Sequence, residues 1–324
     1  MAETGHQRKT GECGGTGDID PRRSSGMPLS TTSTILRFAP SPNGELHIGH
    51  AYSAMVTWDM AERLGGQALL RIEDIDLGRT REDFVDRIFA DLAWLGLDWP
   101  RPVRRQSQHF GDYRRAAKRL EAMGLVYRCY ATRSEIKAAA ASGPAGRDPD
   151  GAPLYPGRGK VLPATEMERR ASDGAPFTLR LDMAAALAVA RELQPGPLTF
   201  RAFDGSGNHD TVEVRPERWG DQVIVRKDTP TSYHLSVVVD DAIQGVSHVT
   251  RGVDLLAATD LHRLLQVLLA LPEPAYHHHR LVTDDNGEKL SKSLAAQSLR
   301  ALRDDGTTPD VIRQMLELSG GVSL

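Results

Sequence analysis

Apolar and polar positions fall into clear blocks from residue 35 onward. Ile35, Leu36 and Phe38 make a strand-like cluster, and Pro40, Pro42 and Gly44 then break the chain. From Ile48 to Leu64 apolar residues return at helical spacing through Ala51, Met55, Trp58 and Met60. The run Ala68–Leu70 passes into alternation of Ile72 and Ile75 with charges, which predicts a buried strand ending in a polar loop. A strand, a helix and a strand in such close succession make a βαβ unit and predict a parallel sheet. A second helix is expected around Phe84, Ile88, Leu92 and Leu95, with Thr80 and Asp83 as a variant capping box.

Downstream, Leu125–Tyr130 reads as a strand and Thr132–Ala141 as a helix, followed by a Gly/Pro-rich loop over 142–160. Short strands are expected at Phe177–Leu181, Leu198–Phe203, Thr211–Val214 and Gln222–Val225. The segment Asp254–Leu271 is periodic through Ala257, Leu261, Leu264, Leu265 and Leu268, and Pro272 and Pro274 stop it. Helical patterns at Leu294–Asp304 and Pro309–Ser319 close the chain, the second with Thr308 before Pro309 as its N-terminus. These elements divide the chain into a tail over 1–33, expected to be disordered, and three further parts. These are the first half of a nucleotide-binding domain (34–128), a smaller α+β insertion (129–225) and the second half of the domain (226–324).

Composition narrows the class. Charged residues are 26% and apolar residues 40%, as in an ordinary globular protein. The formal net charge of −3 argues against a broadly basic surface wrapped around nucleic acid. The arginine-rich stretch Arg101–Arg119 is expected to be a solvated helix face rather than a phosphate patch. Two cysteines, Cys13 and Cys129, make no disulfide framework and fit a reducing, cytoplasmic setting. No apolar run reaches membrane-spanning length, and no secretory signal is visible.

The candidate chemistry sits at the first break in the pattern. A glycine-bearing turn that feeds a helix presents free backbone N–H groups and the positive end of a dipole, a natural phosphate site. His47 and His50, three apart at that entry, can face one ligand. Ligands of parallel sheets sit beyond the carboxyl ends of the strands, where His47, Glu73 and Asp74 fall. Far downstream, Lys289-Leu-Ser-Lys-Ser293 follows the Gly/Asp-rich stretch Asp284–Gly287. His277, His278 and His279 are adjacent and diverge in any regular element, so one metal cannot collect them.

His47-Ile-Gly-His50 and Lys289-Leu-Ser-Lys-Ser293 resemble, in order and in kind, the paired HIGH and KMSKS signatures of the class I aminoacyl-tRNA synthetases. Arg37-Phe-Ala-Pro-Ser-Pro42 resembles the glutamyl/glutaminyl branch, and the likeness runs from Thr34 to Leu324. By length the chain is most similar to the truncated glutamyl paralogues that lack an anticodon-binding domain. The resemblance implies a Rossmann-like α/β catalytic domain, ATP with Mg²⁺, and a cytoplasmic monomer. It implies activation of L-glutamate and transfer to the queuosine of the tRNA(Asp) anticodon stem-loop. Two alternatives stay open: charging the 3′ end of tRNA(Glu), and a non-catalytic RNA-binding protein.

By the same resemblance His47, His50, Lys289 and Lys292 are catalytic, and His47, Gly49, His50 and Lys292 hold ATP. Arg37, Phe38, Ala39, Pro40 and Ser41 line the glutamate pocket. Glu73 takes the ammonium group, Tyr233 and Arg251 complete the pocket, and Arg251 meets a carboxylate. Relatives often hold zinc through Cys-x-Cys and Tyr-x-x-x-Cys. Here only Cys129 and Tyr155 remain, with Ala131 and Gly159 at the other two positions, so no zinc is expected.

Overall fold

The computed structural model describes residues 34–142, 146–282 and 297–318. The tail over 1–33 and the lysines Lys289 and Lys292 lie outside the described residues.

The first βαβ unit is in place. Strand β1 (Ile35–Phe38) pairs in parallel with β2 (Gln67–Ile72), and helix α1 (Ile48–Arg63) crosses between them. Leu36, Leu70 and Ile72 are buried, and α1 covers them with Ile48, Ala51, Ala54 and Met60 in one core. A two-residue strand β3 (Arg104–Arg105) extends this sheet in parallel beyond helix α2 (Glu82–Trp94). Asp83 does not cap α2. Thr80 instead donates its hydroxyl to the Asp76 carbonyl, and the N-cap residue Arg81 makes no side-chain cap.

A second sheet carries β6 (Thr199–Phe203), β7 (His209–Glu213), β9 (His248–Gly252) and β10 (Ala275–His279) in the order β7-β6-β10-β9. β10 is parallel to both neighbours, and β7 is a hairpin edge on β6. The two sheets meet at their edges. The Ser247 amide donates to the Ile35 carbonyl (2.9 Å), and the Ile35 amide donates to the Ser247 hydroxyl (2.9 Å). β1 and β9 therefore lie side by side, and their carboxyl ends, with those of β2 and β10, open on one crevice.

Helices α3 (Phe110–Ala122), α7 (Tyr233–Ile243) and α8 (Ala258–Leu268) pack on the second core through Leu120, Leu235, Val238, Leu261 and Leu265. The periodic segment from Asp254 opens with a short 3-10 turn (Val253–Leu255), so the α-helix starts later than the apolar pattern.

The span 129–225 divides between sheets. β5 (Thr178–Leu181) and β8 (Val223–Val225) form a small antiparallel sheet with β4 (Val126–Cys129), following helix α4 (Arg133–Ala141). The β6–β7 hairpin instead joins β10. Helices α5 (Ala164–Ser172) and α6 (Met183–Leu193) also lie in this span, where the apolar pattern suggested only strands from Pro176 on. The α6 sequence is nearly uniform in small apolar residues and shows no polar face. Its cap was the readable signal: Asp182 accepts from the Ala185 amide (3.1 Å) ahead of an alanine-rich run.

The arginine-rich stretch is not simply a solvated face. Arg104 lies before α3 and holds Asp240 (2.8 Å) and Asp112 (2.6 Å), and Arg105 bridges Asp74 and Glu82. The chain closes with α9 (Leu299–Asp304), capped by Ser298, and α10 (Pro309–Leu318) after Thr308. No helix among the described residues is long and apolar enough to cross a membrane.

Candidate active site

The crevice at the strand ends is a cleft of about 950 Å³. Arg37 to Ser41, His47, Gly49, His50, Glu73, Tyr233 and Arg251 all line it. The main chain fixes part of this: the Glu73 amide donates to the Pro40 carbonyl (3.0 Å), tying the end of β2 to the turn after β1. Asp74 turns away. It is 1% exposed and accepts from the Ser107 amide and hydroxyl (2.7 Å each) and from Arg105, so it is structural.

At the mouth of α1 the two histidines cap the helix. His47 Nδ1 accepts from the Gly49 amide (3.1 Å), and His50 Nδ1 accepts from the His47 amide (3.2 Å). An Nδ1 that accepts leaves the ring proton on Nε2, so both imidazoles carry an Nε2–H donor. Burial, with His47 alongside, pushes the His50 ring down to about 3, so it is neutral at physiological pH. Gly49 suits this packing, because a Cβ there would stand 3.0 Å from the His47 ring and the ring would have to give by a few tenths of an ångström. Leu299 donates to the Leu46 carbonyl (2.8 Å) and Ser298 bridges His47. Leu46 and His47 line the cleft, as does Val282.

The floor is a buried charge network that the sequence pattern did not reveal. Asp241 of α7 accepts from Arg37 Nε (3.0 Å) and from Arg71 Nη1 (2.8 Å). Arg71 is 0% exposed and also reaches Glu73 (3.2 Å) and Gln244 (3.0 Å). Neighbouring Asp240 accepts from Tyr113 and Gln106 at 2.8 Å each. The readable signal was two adjacent acids inside the apolar run Val237–Asp241, which must find cations if they are buried. Burial alone would raise the Asp241 carboxyl, but Arg37 and Arg71 hold it below the usual carboxylate range.

Glu73 goes the other way. Burial raises its pKa by more than Arg71 and Arg37 lower it. An ammonium group bound beside it would favour the ionised form and release its proton. Affinity for an amino acid should therefore strengthen as pH rises through the elevated Glu73 value and then level off. Titration calorimetry with L-glutamate from about pH 5 to 7.5 checks this, with the window placed above the ordinary glutamate range. Glu73→Gln should bind more weakly and lose the pH dependence. An unchanged pH profile in that variant would assign the proton to another group.

Arg251 is the most unusual charge. It is 4% exposed, yet its hydrogen bonds end on neutral groups: His278 (3.2 Å), His262 (3.0 Å) and Thr259 (2.7 Å). No carboxylate pairs with it among the described residues. A buried cation without an acid is costly unless a ligand supplies one.

The residues at the positions that the resemblance marks for zinc do not fit that metal. The Cys129 thiol lies 3.4 Å from the Tyr155 hydroxyl, and the Arg180 guanidinium stacks 4.0 Å over the Tyr155 ring. One thiol, one phenol and a resident cation are a poor donor set for Zn²⁺. Elemental analysis should find zinc well below one per chain; one per chain would contradict this misfit.

Comparison with known proteins agrees with this geometry. The sequence model of the family described as "tRNA synthetases class I (E and Q), catalytic domain" matches residues 34–323. The chain belongs to this family. It is 44% identical to the glutamyl-Q tRNA(Asp) synthetase of Rhodobacter capsulatus, over 88% of this chain and 100% of that protein. It is 37% identical to a glutamate–tRNA ligase of Synechococcus, over 88% of this chain but 57% of the ligase. The crystal structure of glutamate-tRNA synthetase from Elizabethkingia anophelis superposes with a TM-score of 0.63 at 26% identity. That match covers 80% of this chain and 52% of the other, so this chain spans about half of that structure. The class I family fold accounts for the parallel strands and for a cleft at their carboxyl ends.

Proposed function

We propose that this chain activates L-glutamate with ATP and transfers the glutamyl group to the queuosine of the tRNA(Asp) anticodon stem-loop. The observation that carries the first step is a buried Arg251, with no acidic partner among the described residues, in the same cleft as Glu73 and the histidine turn. An amino acid with an acidic side chain matches both. Its ammonium group meets Glu73, and a carboxylate meets Arg251.

The attacking carboxylate is already ionised at pH 7, so no general base is needed. It attacks the α-phosphorus of ATP, the bond to the bridging oxygen breaks, and pyrophosphate leaves. Catalysis is then positioning together with stabilisation of charge spreading over the phosphates. The Nε2–H groups of His47 and His50 and the N-terminus of α1 are suited to donate there. Lys289 and Lys292 would add movable positive charge. Mg²⁺ would offset phosphate charge, and it binds largely through substrate phosphates and water.

The acceptor is supported by relatives. Those named glutamyl-Q tRNA(Asp) synthetase reach 44%, against 37% for the Synechococcus glutamate–tRNA ligase. The 129–225 span is the part proposed to face RNA, in a cytoplasmic protein. Pyrophosphate exchange tests the activation step. Exchange should depend on L-glutamate and not on L-glutamine, and exchange equally driven by both would sink the assignment of the pocket.

A further inference from the structure

Arg251 has five N–H donors, and its neighbours take three of them. Nε–H goes to His278 Nε2, one Nη1–H to His262 Nδ1, and one Nη2–H to the Thr259 hydroxyl. Two donors are left, one on each terminal nitrogen, which suits a two-pronged grip on a carboxylate. The guanidinium also lies over the Tyr276 ring (5.2 Å). It is thus held on several sides, and none of its holders carries negative charge.

Arg251 can only donate, so its partners' protonation is fixed. His278 must present a bare Nε2 and His262 a bare Nδ1. The proton of His262 is then on Nε2, aimed at His234 Nδ1 (3.3 Å). Burial first, and Arg251 second, keep His278 down to about 3 and His262 well below its ordinary value. Arg37, which also lines the cleft, differs. It is already neutralised by Asp241, so a ligand carboxylate gains less there.

We propose that His262 and His278 are positioning residues that make this cleft select an acid over its amide, by orienting Arg251 through neutral acceptors and leaving its charge uncompensated. A side-chain carboxylate receives both free donors. A carboxamide offers one acceptor and turns an N–H donor toward the second. The inference rests on the glutamate reading of the cleft and adds the origin of its selectivity.

Isosteric pairs of variants separate charge from shape. Asn at 262 can place a neutral acceptor where Nδ1 stands, and Asp at 262 differs from it by a charge alone. At 278, Gln and Glu do the same for Nε2. Calorimetry with L-glutamate and L-glutamine, alongside thermal melting, reads the result. His262→Asn and His278→Gln should keep glutamate affinity within about tenfold. His262→Asp and His278→Glu should weaken glutamate by on the order of 100-fold, because the new anion neutralises Arg251. Glutamine affinity should barely move, so the glutamate-to-glutamine ratio collapses only in the charged variants. A purely structural role would move both ligands and the melting point together.

An equal ratio within each isosteric pair would overturn the inference while leaving glutamate binding intact. Wild-type protein that binds neither amino acid would overturn the glutamate reading, and the inference with it. If the Asp variant at buried position 262 does not fold, the half-buried 278 pair decides alone.

Discussion

Arg251→Met should lower kcat/KM for glutamate-dependent pyrophosphate exchange by on the order of 10³-fold, as loss of a buried charge-paired contact costs several kcal/mol. The side chain is buried in the cleft, and no carboxylate pairs with it among the described residues. Stability should respond far less. The groups it leaves behind, His262, His278 and Thr259, are uncharged, and a buried cation with no anion is itself a burden on the fold. The melting point should stay within about 4 °C of wild type, roughly 1 kcal/mol for a chain of this size. Loss of activity below tenfold would show that another group meets the ligand carboxylate.

Asp241→Asn should do the reverse. Asp241 is 4% exposed and accepts from both Arg37 and Arg71, which are themselves buried. Asparagine keeps the shape and removes the charge, leaving two buried guanidiniums short of an anion. Breaking one side of such a pair costs about 3–5 kcal/mol. For a domain this large that is a fall in melting temperature of roughly 6–20 °C.

The pH dependence has a definite sign. The folded pKa of Asp241 is held down, so its stabilisation is fully present above the unfolded value, about 3.9. It is lost as pH falls through the lower folded value. The variant should therefore lose less stability than wild type below about pH 4. A melting shift under about 2 °C at pH 7 would mean that Asp240 and Glu73 suffice for the two arginines.

The contrast between these two residues shows what a sequence can reveal. The strand, the Pro/Gly turn and the start of α1 are local, and spacing plus helix-capping chemistry makes them readable. The histidine turn, Glu73 and Arg251 were readable through resemblance, because they stand in short recognisable strings. Asp241 was not, because Arg71 finds it across 170 residues of chain. Two adjacent acids in an apolar helix hinted at burial but named no partner. His262 is one position on an amphipathic helix, and its place beside Arg251 depends on α8 setting His262 and Thr259 against β9. The β6–β7 hairpin illustrates the same limit. Its strands were readable, but their pairing with β10 rather than with β5 is a long-range choice that alternation does not encode. Helix α6 was hidden for the opposite reason: its alanines give every face the same polarity.

The proposed activity of the cleft is activation of glutamate for transfer to a modified anticodon. Its most direct test is transfer of labelled glutamate, with ATP and Mg²⁺, onto separate pools of queuosine-containing tRNA(Asp) and of tRNA(Glu), followed by mapping of the label. Label is expected in the anticodon loop of tRNA(Asp) and none on tRNA(Glu). Label on the 3′ end of tRNA(Glu), with the tRNA(Asp) loop unlabelled, would contradict that activity.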